Sequence, residues 1–287
     1  MRLLLLISLP LSSFGQSFFE GLVINKETKH RIPFATIGLI KQNTGTNADE
    51  NGNFTLSISG SSDTLLISCI GFETTKFPQN RSYLKDTFEL QPKIASLAEI
   101  IVTNRKNPTS TTLGQYSNCS TNYYTTSNAI NQIARHFKTT RNNVSLKEIE
   151  ICKYGMAIID PARTKFRIRI YSMDKISGTP GDDLCDSVIE LDVTGRHIKV
   201  NLEQYNIIIP DTDFFVAIEW LRIPLNQQKN KSRIDGGQKF VYYTYSPLIA
   251  IKDKTNENLD LECWQLEYSG KWRRFPYTAM ISATISY

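Results

Sequence analysis

At 287 residues, with 40% hydrophobic content and a mean hydropathy of −0.28, the chain is long enough for two cores and too polar for a bundle of membrane-spanning segments. Its 33 basic and 28 acidic residues leave a net charge of +5. The basic residues (Lys138, Arg141, Lys229, Lys231, Arg233, Lys271, Arg273 and Arg274) are scattered rather than massed, which argues for a solvated surface and against a nucleic-acid partner.

The chain opens with Arg2, an apolar run from Leu3 to Leu11, and the small-x-small triplet Ser13-Phe14-Gly15 ahead of Gln16. That is the layout of a secretory signal peptide over residues 1–15. The run falls short of the roughly 20 residues that a spanning helix needs, and Pro10 interrupts it. No cysteine follows it to take a lipid anchor, and no second long apolar stretch follows. The expectation is an exported chain without a transmembrane span: periplasmic, associated with the outer membrane, or secreted. Five cysteines remain, Cys69, Cys119, Cys152, Cys185 and Cys263. Export permits disulfides, but the irregular spacings give no pairing and leave at least one thiol over. Cys69, inside LLISCIGF, reads as a small buried hydrophobe.

From residue 17 to 104, short runs of strand character alternate with turn signals: FFEGLVIN, PFATIGLI, GNFTLSI, DTLLISCIGF and DTFEL. They predict an antiparallel sandwich of about seven strands. Within it, NADENGNF sets Asn47, Asp49 and Asn51 at alternate positions before Gly52, like the start of a calcium loop. A twelfth-position bidentate glutamate is required there, and Ile58 occupies that place in the alternating strand Phe54-Leu56-Ile58. The stretch therefore predicts a hairpin turn with Asn51-Gly52 tolerating positive φ, and no metal site.

The series GLVIN, IPFATIGL, NTGTNADENGNFTL, LLISCIGFET and LAEIIVTN resembles the carboxypeptidase-like regulatory domain over residues 19–104. That resemblance implies a transthyretin-like β-sandwich of exported Gram-negative envelope proteins, used as an accessory module without catalytic residues. Cys69 stands where an aromatic more often precedes the apolar-Gly-aromatic triplet Ile70-Gly71-Phe72. In TonB-dependent receptors such a domain precedes a plug and a large barrel, but residues 105–287 are too few for some twenty strands of about 10 residues each. Leu97 to Asn104 is therefore expected as the last strand of the sandwich, in a protein of standalone type without a receptor barrel.

Polar residues 105–113, RKNPTSTTL, read as a linker containing Pro108. Residues 114–145 are expected to hold a short helix or an irregular edge, since Ile130, Ile133, Ala134 and Phe137 fit one helical face. Strand alternation then returns. Phe166, Ile168 and Ile170 face one way and Arg167, Arg169 and Tyr171 the other; Ile198, Val200 and Leu202 alternate likewise; and DFFVAIEWL is apolar on both faces. With KFVYYTY, CWQLEY and AMISATISY this makes about eight strands, separated by the expected turns SGTPGDDL, NIIIPDTD and YSGKWRRF. The fold class is all-β, with residues 114–287 forming a second antiparallel, jelly-roll-like sandwich. The order of these segments resembles the C-terminal sandwich behind the regulatory domain in standalone envelope proteins, which implies no activity.

Chemistry is sparse. Of His30, His136 and His197, none has a neighbour at metal-ligand spacing, so solvated histidines are expected. No GxSxG elbow occurs, and Ser59-Gly60-Ser61-Ser62-Asp63 reads as a turn. Glu219 and Glu267 sit at alternating strand positions facing solvent or a base, and Gly236-Gly237 lacks a phosphate cradle. No catalytic, cofactor or metal residue is assigned. Aromatic residues gather late, with Tyr243 and Tyr245 on one strand face and Trp272 after a turn. Ring faces stack on apolar sugar faces, so Trp272, Tyr243 and Tyr245 are the candidate glycan-binding residues. The sequence thus predicts a non-catalytic binding or structural module at the cell envelope, with an envelope protein or polysaccharide as partner. Two alternatives remain: a glycan-binding module using those aromatics, and a hydrolase whose His197 or His136 meets serine and aspartate across loops.

Overall fold

The computed structural model describes residues 17–59, 62–80, 85–93, 109–126, 129–155, 163–233, 239–253 and 262–287. The expected signal peptide, the strand Leu97 to Asn104 and the first part of the expected linker lie outside them.

Among the described residues, seven strands build the first sandwich: β1 (Ser17–Asn25), β2 (Thr36–Leu39), β3 (Thr44–Asn47), β4 (Asn53–Ile58), β5 (Ser62–Ser68), β6 (Thr75–Asn80) and β7 (Lys85–Leu90). They pair as β4-β1-β7 and β3-β2-β5-β6. Alternation drives the packing. Phe54, Leu56 and Ile58 point inward from β4, Leu65 and Ile67 from β5, and all meet Phe19, Val23, Ile37 and Phe88 in one core. Each such side chain contributes about 1.5–3 kcal/mol on burial. Gly21 lets the Phe54 and Phe88 rings close over β1, where a Cβ would strike both. One pairing departs from the antiparallel expectation: β7 runs parallel to β1. Period-two alternation reads the same in either direction, so residue pattern alone does not report strand polarity.

The NADENGNF turn is a hairpin corner. Asp49 Oδ1 accepts from Asn51 N (2.8 Å) and Asn53 N (2.9 Å), and Gly52 adopts φ +74°. One Asp49 carboxylate oxygen is thereby occupied by the turn's own backbone.

Sixteen further strands among the described residues, rather than about eight, build the second part. They are β8 (Ser110–Leu113), β9 (Tyr123–Thr126), β10 (Ile130–Lys138), β11 (Val144–Cys152), β12 (Arg163–Met173), β13 (Pro180–Asp183), β14 (Ile189–Thr194) and β15 (His197–Asn201). After them come β16 (Ile208–Ile209), β17 (Asp213–Trp220), β18 (Gln227–Arg233), β19 (Lys239–Asp253), β20 (Cys263–Glu267), β21 (Trp272–Phe275), β22 (Tyr277–Ala279) and β23 (Ile281–Ser286). One sheet has the order β13-β12-β17-β10-β20-β21 with β14 on β12, and a second has β15-β11-β23-β8 with β16 on β11. A third, β18-β19-β22, takes β9 on β19. The first two enclose a core containing Phe166, Ile168, Ile170, Phe214, Val216, Ile218 and Trp220 on one side and Leu146, Ile149, Ile151, Ile198 and Ala283 on the other.

Three local expectations change. Ile130–Lys138 is a central strand between β17 and β20, not a helix or an irregular edge. Both of its faces are covered, which erases the period-two signal and leaves an apolar spacing that mimics a helix. Ser110–Leu113, expected in the linker, pairs with β23. Within the expected turns SGTPGDDL and YSGKWRRF, Pro180–Asp183 and Trp272–Phe275 are edge strands. Pro180 opens its strand, the position where a missing N–H is tolerated.

The outer face of β12-β17-β10-β20 packs on the outer face of β2-β3, stacking the two sandwiches. Thr36 donates to Glu219 Oε1 (3.0 Å), Arg222 N donates to Asn47 Oδ1 (2.8 Å), and Arg167 donates to the carbonyls of Phe34 (3.1 Å) and Pro33 (3.3 Å). Phe34 packs with Leu221 and Ile223 beneath the Arg167 guanidinium. Gly38 and Gly45 admit Tyr268 against β2 and β3, where a Cβ at either position would overlap its backbone or ring.

Candidate functional site

Strand β12 positions the site. Its even residues enter the core, so Arg167, Arg169 and Tyr171 must point outward into the layer between the sandwiches. Where β2 and β3 leave that layer uncovered, a cleft of about 460 Å³ opens. The first sandwich supplies residues 68–74 and Lys93; the second supplies Gln132, Arg169, Tyr171, the segment around Asp182 and Asp183, Leu266 and Trp272. Both halves are needed to form it.

The loop Cys69–Phe72 is closed by Phe72 N donating to Cys69 O (3.1 Å) and tied to the β7 end by Lys93 N donating to Gly71 O (2.9 Å). Gly71 takes φ +80°, the left-handed region that glycine enters without cost. On the opposite wall Tyr171 donates to Gln132 Oε1 (2.9 Å). Arg169 donates to both Asp183 oxygens (2.9 and 2.5 Å) and to Glu219 Oε2 (3.5 Å). Burial works against the Arg169 charge, but Tyr171, Glu219 and Asp183 around it hold its pKa well above the ordinary arginine value. Burial likewise pushes the Tyr171 phenol up, so it stays a neutral donor. With Arg169 matched by Asp183 and Glu219, the cleft's remaining carboxylates, Glu73, Asp182 and Asp186, face one lysine, Lys93. The lining is rich in acceptors.

Trp272 begins β21 instead of standing exposed after a turn. One edge of its ring meets Tyr171 (5.8 Å between centroids, 79° between planes), and Ala134, Phe215 and Ala217 lie beside it. It is half-buried and lines the cleft. Tyr243 and Tyr245 are elsewhere, on β19. Tyr243 is exposed, and Tyr245 accepts from Gln227 Nε2 (2.9 Å) under the Arg222 guanidinium. The three predicted aromatics thus fall on two separate surfaces. Arg169, Tyr171, Gln132 and Asp183 were not singled out as site residues. For Arg169 and Tyr171 the signal is a charged and phenolic face on β12 opposite Phe166, Ile168 and Ile170; Gln132 and Asp183, on β10 and β13, carry none.

His30 and His197 are exposed, as expected, and His136 alone is drawn largely out of solvent. His136 Nε2 lies 2.9 Å from Asp213 Oδ1, its ring against Phe215. His197 contacts Glu150 Oε1 through Nδ1 (3.2 Å) and Cys119 Sγ through Nε2 (3.3 Å). Among the described residues, neither imidazole has a serine as its hydrogen-bond partner. Cys119 and Cys152 form a disulfide with Cα atoms 5.6 Å apart. Their sulfurs and His197 lie within 4.8 Å of one another, a soft-ligand set whose sulfurs are engaged with each other. Cys69 and Cys185 are free thiols, and Cys263 is buried with its Sγ accepting from Ala279 N (3.4 Å). Cys69 is half-buried beside the cleft rather than fully buried in the core, and burial pushes its thiol up. Glu219 is buried at the sandwich interface and faces Arg169, a base, rather than solvent.

Residues 19–102 match the sequence profile of the CarboxypepD_reg-like domain. No curated protein matches the chain significantly. Among solved structures, a DUF3823 family protein from Bacteroides ovatus is 10% identical, with 81% of this chain and 97% of that one aligned at a TM-score of 0.24. A candidate carbohydrate binding protein from Bacteroides uniformis is 10% identical, with 82% and 98% aligned at a TM-score of 0.22. A DUF3823 family protein from Parabacteroides merdae is 7% identical, with 92% and 98% aligned at 0.21. Likeness at this level carries no argument about a ligand.

Proposed function

With residues 19–102 forming a CarboxypepD_reg-like domain, we propose that the chain is an exported, non-catalytic binding protein of the cell envelope that takes a neutral saccharide between its two sandwiches. The observation that carries this reading is the cleft lined by Trp272 and Tyr171 beside an acceptor-rich rim. Its volume falls within the range of about 300–1,000 Å³ typical of small-ligand sites. Sugar hydroxyls donate to carboxylates such as Glu73 and Asp182, while a ring face covers the apolar face of a sugar. The unmatched carboxylates select against uronates and sulfated sugars by like-charge repulsion. The resemblance of the first sandwich to an accessory module supports a binding role. So does the bidentate Arg169–Asp183 pair, which stiffens the wall without offering a free base.

The test is tryptophan fluorescence titrated with neutral and acidic polysaccharides. A saturable shift with a neutral glycan, lost in Trp272→Ala and weakened in Asp182→Asn, is expected. A shift only with acidic glycans, or one that Trp272→Ala leaves unchanged, would sink the assignment.

A further inference from the structure

Strand β18 and the first part of β19, Lys239–Tyr243, extend from the second sandwich as an arm, while Ser246–Ile251 of β19 are buried in its body. From Lys239 to Tyr243 every residue of β19 is exposed, and Phe240, Val241, Tyr242 and Tyr243 are 40%, 49%, 43% and 48% accessible. The antiparallel register sets Lys229 opposite Tyr243, Lys231 opposite Val241, and Arg233 opposite Lys239. Directly opposed residues share a face, so one face carries four cations with Val241 and Tyr243. The other face carries Asn230 and Ser232 with Phe240 and Tyr242, whose rings lie 5.7 Å apart. No carboxylate occurs among residues 227–233 and 239–245. None of the four cations has an ionic partner among the described residues.

We propose that this arm docks the protein on an anionic lipid surface. Lys229, Lys231, Arg233 and Lys239 meet the headgroup phosphates, and the rings and Val241 settle into the boundary between headgroups and acyl chains. Apolar side chains on both faces of a thin ribbon suit insertion into a layer that surrounds it, whereas a glycan strand or a folded partner would cover one face. Cations along the outer strand β18 hinder addition of another strand, which disfavours an extended peptide as the occupant. Tyrosine combines an apolar ring with a polar tip and belongs at this depth. The unpaired backbone groups on the free edge of β18 keep the arm in the hydrated layer and out of the hydrocarbon. This docking stands apart from the saccharide reading, since no cleft residue lies on the arm.

Sedimentation of the full chain with vesicles of phosphatidylglycerol and phosphatidylcholine tests it, with pure phosphatidylcholine vesicles as the control. Binding to the anionic vesicles alone, weakening as salt rises, is expected. The K229Q/K231Q/K239Q variant should lower partitioning by roughly five-fold per lysine, about a hundred-fold together. F240S/Y242S should lower it by about ten-fold while leaving the salt dependence intact. Both variants change exposed side chains, and circular dichroism checks their fold. Equal partitioning of either variant and the parent, equal binding to both vesicle types, or retention on a soluble acidic polysaccharide without vesicle binding would each overturn the proposal.

Discussion

Asp63 shows how one carboxylate closes a turn. Its Oδ1 accepts from Lys41 N (2.9 Å) and Thr64 N (2.6 Å), and its Oδ2 from Gln42 N (3.1 Å) and Gln42 Nε2 (3.2 Å). Burial raises its pKa, but the backbone N–H groups of Lys41, Thr64 and Gln42 prevail and hold it below the ordinary aspartate value. At Asp213 burial is likewise outweighed, by Thr212 and His136. A depressed folded pKa means that the unfolded chain binds more protons near pH 4. The stabilisation is complete above that value and is lost as pH falls through the folded one. Urea denaturation between about pH 5 and pH 2 should show stability falling with acid, with a smaller acid-side slope in Asp63→Asn. Asp63→Ala should cost about 1–3 kcal/mol at neutral pH, because it strands backbone donors that are partly out of water.

Strands β2 and β3 act as elements with two loaded faces. Ile37 and Leu39 enter the first core, while Thr36 and Gly38 meet the second sandwich, so all four residues of β2 are buried. The backbone carbonyl of Tyr268 lies where a Cβ at Gly38 would go, and a backbone group does not step aside as a side chain does. Gly38→Ala should therefore destabilise by about 1–3 kcal/mol in thermal melts. Gly195→Ala, at a turn with open space around it and φ +91°, should cost only the conformational strain of the left-handed region, about 1 kcal/mol.

At the scale of the molecule, buried polar groups bridge the sandwiches: Thr36 to Glu219 to Arg169, and Arg167 to the Phe34 carbonyl. Glu219→Ala takes the acceptor from the Thr36 hydroxyl and the second carboxylate from Arg169, which keeps its bidentate Asp183 pair, so it should cost about 1–3 kcal/mol. The parent is expected to unfold in one calorimetric transition and Glu219→Ala in two, because the interface then no longer links the cores. A single transition in that variant would show that the apolar contacts around Phe34 suffice. The Cys119–Cys152 disulfide closes a separation of 33 residues. The double serine variant should lose about 3–4 kcal/mol in denaturant titrations.

The all-β class, strands β1, β2, β4, β5 and β7 of the first sandwich and the inward faces of β4, β12 and β15 were legible from the residues. Each depends on alternation along a few neighbouring positions, which local sequence carries in full. The Asp49–Gly52 corner was legible for the same reason, since its hydrogen bonds span four residues. What the sequence did not carry was everything that requires knowing what lies across from a face. Ile130–Lys138 looked helical because side chains of distant strands, Phe215, Trp264 and Trp272, cover its second face as well. Arg169 and Tyr171 were legible only as the face opposite the apolar one, because the wall they meet, Cys69–Phe72, is about a hundred residues away. Trp272, Tyr243 and Tyr245 looked like one cluster because they are close in the chain, and sheet order sent them to a cleft and to an arm. Local periodicity sets which side of a strand is apolar; only the tertiary stacking of sheets decides whether its polar side meets water, another domain or a ligand.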